Sequence, residues 1–177
     1  DSRWDTKKYI RFMEWIAPFL NRTLQEKLLQ IFAHEVEIDQ RNRKRGFGGK
    51  RDESNDAFML EQWYLASIII ALAPTLPDDL LERALSLTQH IERHSHYHNA
   101  MRALIPNLKL DLLKQAMMYL EKTQPGNPEL AQEARWTLYV LVRRWCVFSL
   151  TEAHEIIQEK LKDVAAIFDD HIDFTAF

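Results

Sequence analysis

The sequence predicts an all-α fold in which about four antiparallel helix pairs stack as an α-solenoid-like helical repeat. Three observations support this prediction. Apolar residues recur at the three- and four-residue spacing of amphipathic helices along most of the chain. The chain has only four glycines and six prolines, and the period-two alternation typical of strands is missing from its sequence. A proline-centred pattern also recurs, which indicates that one structural unit is repeated.

Apolar spacing and break signals predict about eight helices, at about residues 5–16, 23–36, 55–72, 77–93, 97–105, 110–122, 128–145 and 151–167. The first carries Tyr9, Phe12, Met13 and Ile16 on one face, and the second carries Leu24, Leu28, Ile31 and Val36. Pro77 followed by two aspartates is a favourable helix start, because proline fits the first turn and acidic groups there meet the positive end of the helix dipole. Residues 124–128, with two prolines and a glycine, mark a break.

The proline-centred pattern is clearest around Pro74 and Pro106, which lie 32 residues apart. Residues 71–76 read Ala-Leu-Ala-Pro-Thr-Leu and lead to Leu80-Leu81, while residues 103–108 read Ala-Leu-Ile-Pro-Asn-Leu and lead to Leu112-Leu113. A looser occurrence is centred on Pro18, and a fourth, near residues 140–145, lacks the proline. We expect each proline to end a helix and each leucine pair to face a core shared by stacked neighbours, because one hairpin cannot bury its own apolar face.

Residues 71–85 resemble the TPR- and HEAT-like helical repeats of bacterial multidomain signalling and defence proteins. Those repeats accompany STAND-type NTPase modules, caspase-like proteases or β-propellers. The resemblance covers residues 65–119 and implies a scaffold or sensor module that binds mainly other proteins within a larger assembly. It transfers no catalytic residue, so we expect a non-enzymatic module without a cofactor.

Composition is that of a single soluble domain over residues 1–177, with 46% hydrophobic and 28% charged residues. A single cysteine, Cys146, excludes an internal disulfide and a thiolate zinc site, and fits a cytoplasmic location. The longest apolar stretch, residues 65–73, is too short to cross a bilayer, so we expect no membrane partner. A net charge of −3 argues against a general nucleic-acid binder.

One segment, at about residues 40–55, stands outside the repeat and is predicted to be a basic, glycine-containing loop insertion. It holds the candidate partner-binding residues Arg41, Arg43, Lys44, Arg45, Phe47, Lys50 and Arg51. Cations beside an aromatic ring suit an acidic protein surface or a nucleic acid, which makes a nucleic-acid adaptor one alternative function. A solvated linker between two long helices is the other interpretation. The segment is not a P-loop, because Arg51 stands where Ser or Thr is required.

Four histidines, at positions 90, 94, 96 and 98, are concentrated in nine residues. On a helix His90 and His94 would share a face, as metal ligands do, but Glu92 would lie on the other side. His96 and His98 fall where the repeat predicts a turn between helices. We therefore expect a solvated polar turn and no metal site.

Arg93 and His98 have the spacing of the Arg-polar-x-x-x-His motif of HEPN ribonucleases, to which this segment is similar. In that all-helical family the two side chains act on the scissile phosphate and move protons. The resemblance implies a second alternative, a metal-independent ribonuclease that uses Arg93 and His98. The motif here crosses a predicted turn, whereas the family carries it on a helix.

The five tryptophans, at positions 4, 15, 63, 136 and 145, are expected mostly in the core because of their helical spacing. One or two at the ends of the stack are expected to be interface residues.

Overall fold

The computed structural model describes residues 12, 13, 15–44, 54–122 and 128–160. Over these ranges α-helices alternate with short turns, and the described residues contain no strand. The predicted all-α class is therefore confirmed. The expected helix ends before residue 12 and after residue 160 lie outside the described residues.

The α-helices are α1 (Arg22–Lys44), α2 (Ser54–Leu72), α3 (Asp78–Thr88), α4 (His94–Leu104), α5 (Leu110–Lys122), α6 (Pro128–Trp145) and α7 (Leu150–Lys160). Three single-turn 3-10 helices, which we name the proline turns, lie at Ala17–Phe19, Ala73–Thr75 and Ile105–Asn107. Residues 12, 13, 15 and 16 are helical and precede the first proline turn. Apolar spacing predicts the bounds of α5 to the residue and those of α2 to within one residue.

Helix α1 continues through Lys44, so the prediction of a loop from residue 40 is wrong at its start. Arg41 donates a hydrogen bond to Glu37 one turn earlier, with 3.2 Å between Nη2 and Oε2. Residues 40–44 contain no glycine or proline, and glutamine, arginine and lysine are good helix formers. The basic composition suggested a loop, but basic residues do not by themselves end a helix.

The turn between α3 and α4 lies earlier than predicted. Helix α3 ends at Thr88 and α4 begins at His94, so His94, His96 and His98 belong to a helix. At the end of α3 the backbone tightens into 3-10 geometry: the Gln89 amide donates a hydrogen bond to the Ser86 carbonyl, and the His90 amide donates to the Leu87 carbonyl. Helix α4 then opens with a 3.0 Å bond from the Tyr97 amide to the Arg93 carbonyl.

The three proline turns share one construction. Each has its proline in the first two positions, a helical residue before it and an extended leucine after it. The first residue of each turn is fully buried, namely Ala17, Ala73 and Ile105. Backbone bonds from Leu20 to Ala17 and from Leu108 to Ile105 close the first and third turns, at 3.2 and 3.1 Å. Pro18, Pro74 and Pro106 are thus structurally equivalent, and each follows the end of a helix.

The fourth repeat has the same corner without the proline. The Phe148 amide donates a 2.8 Å hydrogen bond to the Trp145 carbonyl, just as the Leu108 amide donates to the Ile105 carbonyl in the third turn. Trp145 is therefore equivalent to Ile105, and Cys146 occupies the position of Pro106. The helices after the four turns also begin alike, with backbone bonds from Gln25 to Asn21, Leu81 to Pro77, Leu113 to Lys109 and Ala153 to Ser149. All four donor residues are buried. We number the repeats one to four by these turns, and equivalent residues follow from this register.

Of the predicted core leucine pairs, Leu80 and Leu81 are both buried. In the third repeat only Leu113 is fully buried, and Leu112 is half-buried. The buried position common to the four repeats is therefore the fourth residue after the helix cap, which is Leu81 in the second repeat and Leu113 in the third.

The chain divides into two compact units, Asp1–Leu108 and Lys109–Phe177. In the first unit α2 contacts α4 and two proline turns, α1 contacts α3, and α3 contacts α4. Residues 65–73 of this unit are buried except for half-buried Ile70, as expected for a helix that is apolar on all sides. In the second unit α6 contacts both α5 and α7, and Leu113 of α5 and Leu141 of α6 are fully buried. A single domain over the whole chain stays a prediction.

Within the described ranges, no helix combines the length and the apolar character that crossing a membrane requires.

Candidate functional site

A row of three exposed aromatic side chains leads into the first proline turn. Phe12 is 51% exposed, Trp15 is 68% exposed and Phe19 is 75% exposed. The ring centroids of Phe12 and Trp15 lie 6.4 Å apart, and those of Trp15 and Phe19 lie 6.0 Å apart. Spacings of three and four residues bring such side chains onto one face. We name these three residues the aromatic row.

The exposure of Phe12 corrects the predicted core of the first repeat. Met13 is buried and Ile16 is half-buried, as expected, but Phe12 of the same apolar set faces solvent. Among the described side chains of α1, Gln25 and Leu29 are buried, whereas Leu24 and Ile31 are exposed. The buried face of α1 is therefore displaced by one residue along the sequence from the predicted face. As a result, apolar side chains that were predicted to be buried are exposed.

The successive repeats of the first unit are joined by polar side-chain contacts. Gln25 Nε2 donates to Thr75 Oγ1 at 3.1 Å and lies 3.4 Å from the Thr75 carbonyl oxygen. Arg22 Nη2 donates to Asp79 Oδ2 at 2.7 Å, which links the first turn of α1 to that of α3. These contacts pass from the first repeat to the second at the same end of the helices as the proline turns.

The second unit also exposes large apolar side chains. Val147 and Leu150 are prominent near the fourth turn, and Phe148 there lies under the Arg144 guanidinium, 4.9 Å from its carbon to the ring centroid. On α6 the exposed Trp136 stacks on Tyr139, with centroids 5.5 Å apart. The apolar spacing did not predict that Val147 and Leu150 are exposed.

The tryptophans divide between core and surface. Trp145 is buried and its Nε1 donates to Glu152 Oε2 at 3.1 Å. Trp63 is half-buried, and Trp15 and Trp136 are exposed. Trp4 lies outside the described residues.

The histidine segment is partly core, so the prediction of a solvated turn is wrong. His98 is fully buried, and its ring lies 4.2 Å from that of His94 and 5.0 Å from that of Tyr97. The repeat contained the missed signal: His98 is equivalent to Ala66, which is also buried. Tyr97, Met101 and Leu104 supply the apolar face that draws this helix inward.

Burial disfavours the charged form of the His90, His96 and His98 imidazoles. Burial lowers the pKa of His98 to about 3, and the nearby charges of His94 and Arg102 add to the lowering. Burial also lowers the pKa of His90, and it lowers the pKa of His96 together with the Arg93 charge. Among the described residues, no group of three or more His, Cys, Asp or Glu side chains is arranged to hold a metal ion.

Arg93 and His98 do not share a surface. Arg93 is exposed at the residue before α4, whereas the His98 ring has no exposed area. An acid–base histidine has to come within hydrogen-bond reach of its substrate.

The candidate basic residues are only partly described. Arg41 is exposed on α1 and forms its ion pair with Glu37. Arg43 and Lys44 belong to the same helix. Arg45, Phe47, Lys50 and Arg51 lie outside the described residues, so their role as a binding arm stays a prediction.

Comparisons of this chain with protein-family models, with curated proteins and with solved structures found no match.

Proposed function

We propose that this chain is a non-enzymatic helical-repeat module that binds other proteins through exposed apolar surfaces, as a scaffold or sensor in a larger signalling or defence assembly. The observation that carries the proposal is the aromatic row Phe12, Trp15 and Phe19, which presents three large rings to solvent. The assembly class follows from the resemblance of residues 71–85 to bacterial signalling repeats.

The helix contacts of the first unit support stacking of antiparallel helix pairs. In a stack of repeats, each helix packs against the equivalent helix of the next repeat. Helices α1 and α3 are the second helices of repeats one and two, and they are in contact. Helices α2 and α4 are the first helices of repeats two and three, and they are also in contact. Short corners such as the proline turns suit antiparallel neighbours.

The composition of the exposed surface supports protein binding. Single exposed apolar residues are common, but adjacent exposed aromatic rings are characteristic of interfaces. Tryptophan and phenylalanine are enriched at interface centres, where they fill pockets of the partner. Trp15 lies between Phe12 and Phe19 in the row, and Trp136 presents a second aromatic surface on the other unit.

Site-specific photo-cross-linking tests this function. A photoreactive phenylalanine analogue replaces Trp15 or Trp136 in cells that naturally make the protein, and a matched analogue replaces Lys114, which is exposed and polar. We expect discrete cross-linked protein products from the two aromatic positions and none from position 114. Equal or absent cross-linking at all three positions would contradict the proposal.

A further inference from the structure

An exposed stripe of α6 brings two aromatic rings and two arginines together. Trp136 is 58% exposed, and its ring stacks on that of half-buried Tyr139 with 30° between the two planes. Arg135 precedes Tyr139 by four residues and Arg143 follows it by four, and both arginines are exposed. Side chains three or four residues apart on a helix are neighbours. We name these four residues the α6 surface.

The α6 surface is positively charged on a chain that is acidic as a whole. Residues 134–151 contain three arginines and neither aspartate nor glutamate, whereas the net charge of the chain is −3. Among the described residues, neither Arg135 nor Arg143 forms an ion pair. Their charges are therefore directed to solvent beside an exposed aromatic ring.

Stabilisation of the helix accounts for only one of these two arginines. Arg143 lies in the last turn of α6, where a cation meets the negative end of the helix dipole. Arg135 lies in the middle of α6, beyond the reach of that effect. Tryptophan, tyrosine and arginine are also the three residue types most enriched among the residues that dominate binding between proteins. The composition of the stripe is thus that of a protein interface.

We infer that the α6 surface binds an acidic segment of a protein partner, which places an apolar side chain on Trp136 and carboxylates on Arg135 and Arg143. The inference rests on the proposed function and names the class of partner for its second aromatic surface. Eight residues separate the two arginines, which corresponds to about 12 Å along the helix. An extended chain covers this distance in about four residues. The segment therefore carries two acidic residues about four positions apart, with an apolar residue between them.

An acidic protein segment matches the α6 surface better than a nucleic acid does. Single-stranded nucleic acids also stack on aromatic rings, but their phosphates repeat along the whole strand and require a basic track. Two exposed arginines on a chain of net charge −3 form a short positive surface and no such track. Arginine forms paired hydrogen bonds with a carboxylate, so two acidic side chains are enough to occupy it.

The experiment identifies the partner segment at Trp136 and tests its dependence on the arginines. A photoreactive phenylalanine analogue replaces Trp136 of the full chain in cells that naturally make the protein, and the cross-linked peptide is sequenced by mass spectrometry. One variant also carries Arg135→Gln and Arg143→Gln. Its matched control carries Lys109→Gln and Lys114→Gln, which remove the same charge from exposed positions of the same unit.

We expect the cross-linked segment to contain at least two aspartates or glutamates about four positions apart. The arginine variant should lose the product roughly tenfold or more, whereas the lysine variant should keep it, because only the arginines contact the partner. All variants should keep the wild-type thermal melt, since the changed side chains are exposed.

A synthetic peptide of the identified sequence then provides a direct measurement of binding to the purified wild-type chain by fluorescence anisotropy. Replacing its acidic residues with the corresponding amides, or replacing Arg135 and Arg143 with glutamine, should each weaken binding roughly tenfold. Combining the two changes should weaken binding little further, because both remove the same contacts. Fully additive losses would show that the carboxylates bind elsewhere and would overturn the inference.

Other outcomes also contradict this assignment of the partner. A cross-linked segment without acidic residues, a product that nuclease digests, or equal yields from the arginine and lysine variants would each overturn the inference. Cross-linking from position 15 and none from position 136 would overturn it too, and the proposed function would stand. Absence of products from both positions would contradict the proposed function itself.

Discussion

Asn107 Nδ2 donates a 3.1 Å hydrogen bond to the carbonyl oxygen of Ala73, which joins two proline turns across 34 residues of sequence. Ala73 is fully buried and follows the last residue of α2. Carbonyl groups at helix ends lack an intrahelical partner, and a side-chain amide that supplies one stabilises the helix end. The third turn thus completes the hydrogen bonding of the second.

Asn107→Ala should therefore lower the free energy of unfolding by about 1 kcal/mol, with up to about 3 kcal/mol if the Ala73 carbonyl stays buried without a partner. Urea unfolding followed by circular dichroism measures the change. Asn99→Ala is the control, since Asn99 is an exposed asparagine on α4, and it should change stability by no more than about 0.5 kcal/mol. Equal effects of the two substitutions would mean that the Asn107 bond does not stabilise the turn.

Of the two adjacent leucines on α5, Leu113 lies in the core and Leu112 is half-buried. Leu113→Ala should cost about 2–5 kcal/mol of unfolding free energy, because it leaves a cavity at a fully buried site. Leu112→Ala should cost clearly less, since Leu112 keeps contact with water in the folded state. Denaturant melts of the two variants check the order. A larger loss for Leu112→Ala would show that the register of the third repeat is wrong.

His98 should make the protein less stable in acid. Its folded-state pKa of about 3 lies below the ordinary value of 6.5, so the unfolded chain binds a proton that the folded chain does not. The stability from neutral His98 is complete above about pH 6.5 and is lost progressively as the pH falls toward about 3. His98→Gln should flatten the fall in unfolding free energy between pH 7 and pH 4.5. An unchanged slope would show that His98 does not titrate in this way.

Arg93 gives a clean test of the ribonuclease alternative. We expect the purified chain to leave single-stranded RNA intact without added metal, because His98 lies in the core. His98→Ala is a poor probe, since it also removes a buried side chain. Metal-independent cleavage that Arg93→Ala abolishes, with an unchanged thermal melt, would instead establish the ribonuclease and contradict the scaffold.

Arg45, Lys50 and Arg51 test the basic segment and the nucleic-acid alternative. Replacing all three with glutamine should reduce retention on a heparin column, and the difference should shrink as salt screens the charges. Lys27, Lys109 and Lys114 are exposed cations elsewhere, and the same triple replacement there is the control. If both triple variants elute at the same salt concentration, the basic segment affects heparin binding only through the net charge of the chain and is not a specific binding site.

The sequence predicts what depends on local pattern, and it misses what depends on packing between distant elements. The spacing around Pro74 and Pro106 predicts equivalent corners, since proline lacks the amide hydrogen that would continue a helix beyond its first turn. The burial of His98 was not predicted, because histidine is a polar residue type that is usually expected at the surface. The Asn107–Ala73 bond and the exposed side of Phe12 depend on which repeat lies next to which, and no local spacing encodes that.

Replacing the aromatic row and counting the proteins that remain bound tests the proposed function most directly. The variant Phe12→Ser, Trp15→Ser, Phe19→Ser is compared with Thr23→Ser, Lys27→Ser, Gln30→Ser, which changes three exposed polar residues nearby. Each tagged chain is cross-linked in cells that make the protein and purified, and the attached proteins are quantified by mass spectrometry. We expect the aromatic-row variant to lose specific partners that the polar control keeps, with both variants folded. Retention of the same partners at the same level by both variants would contradict binding through the aromatic row.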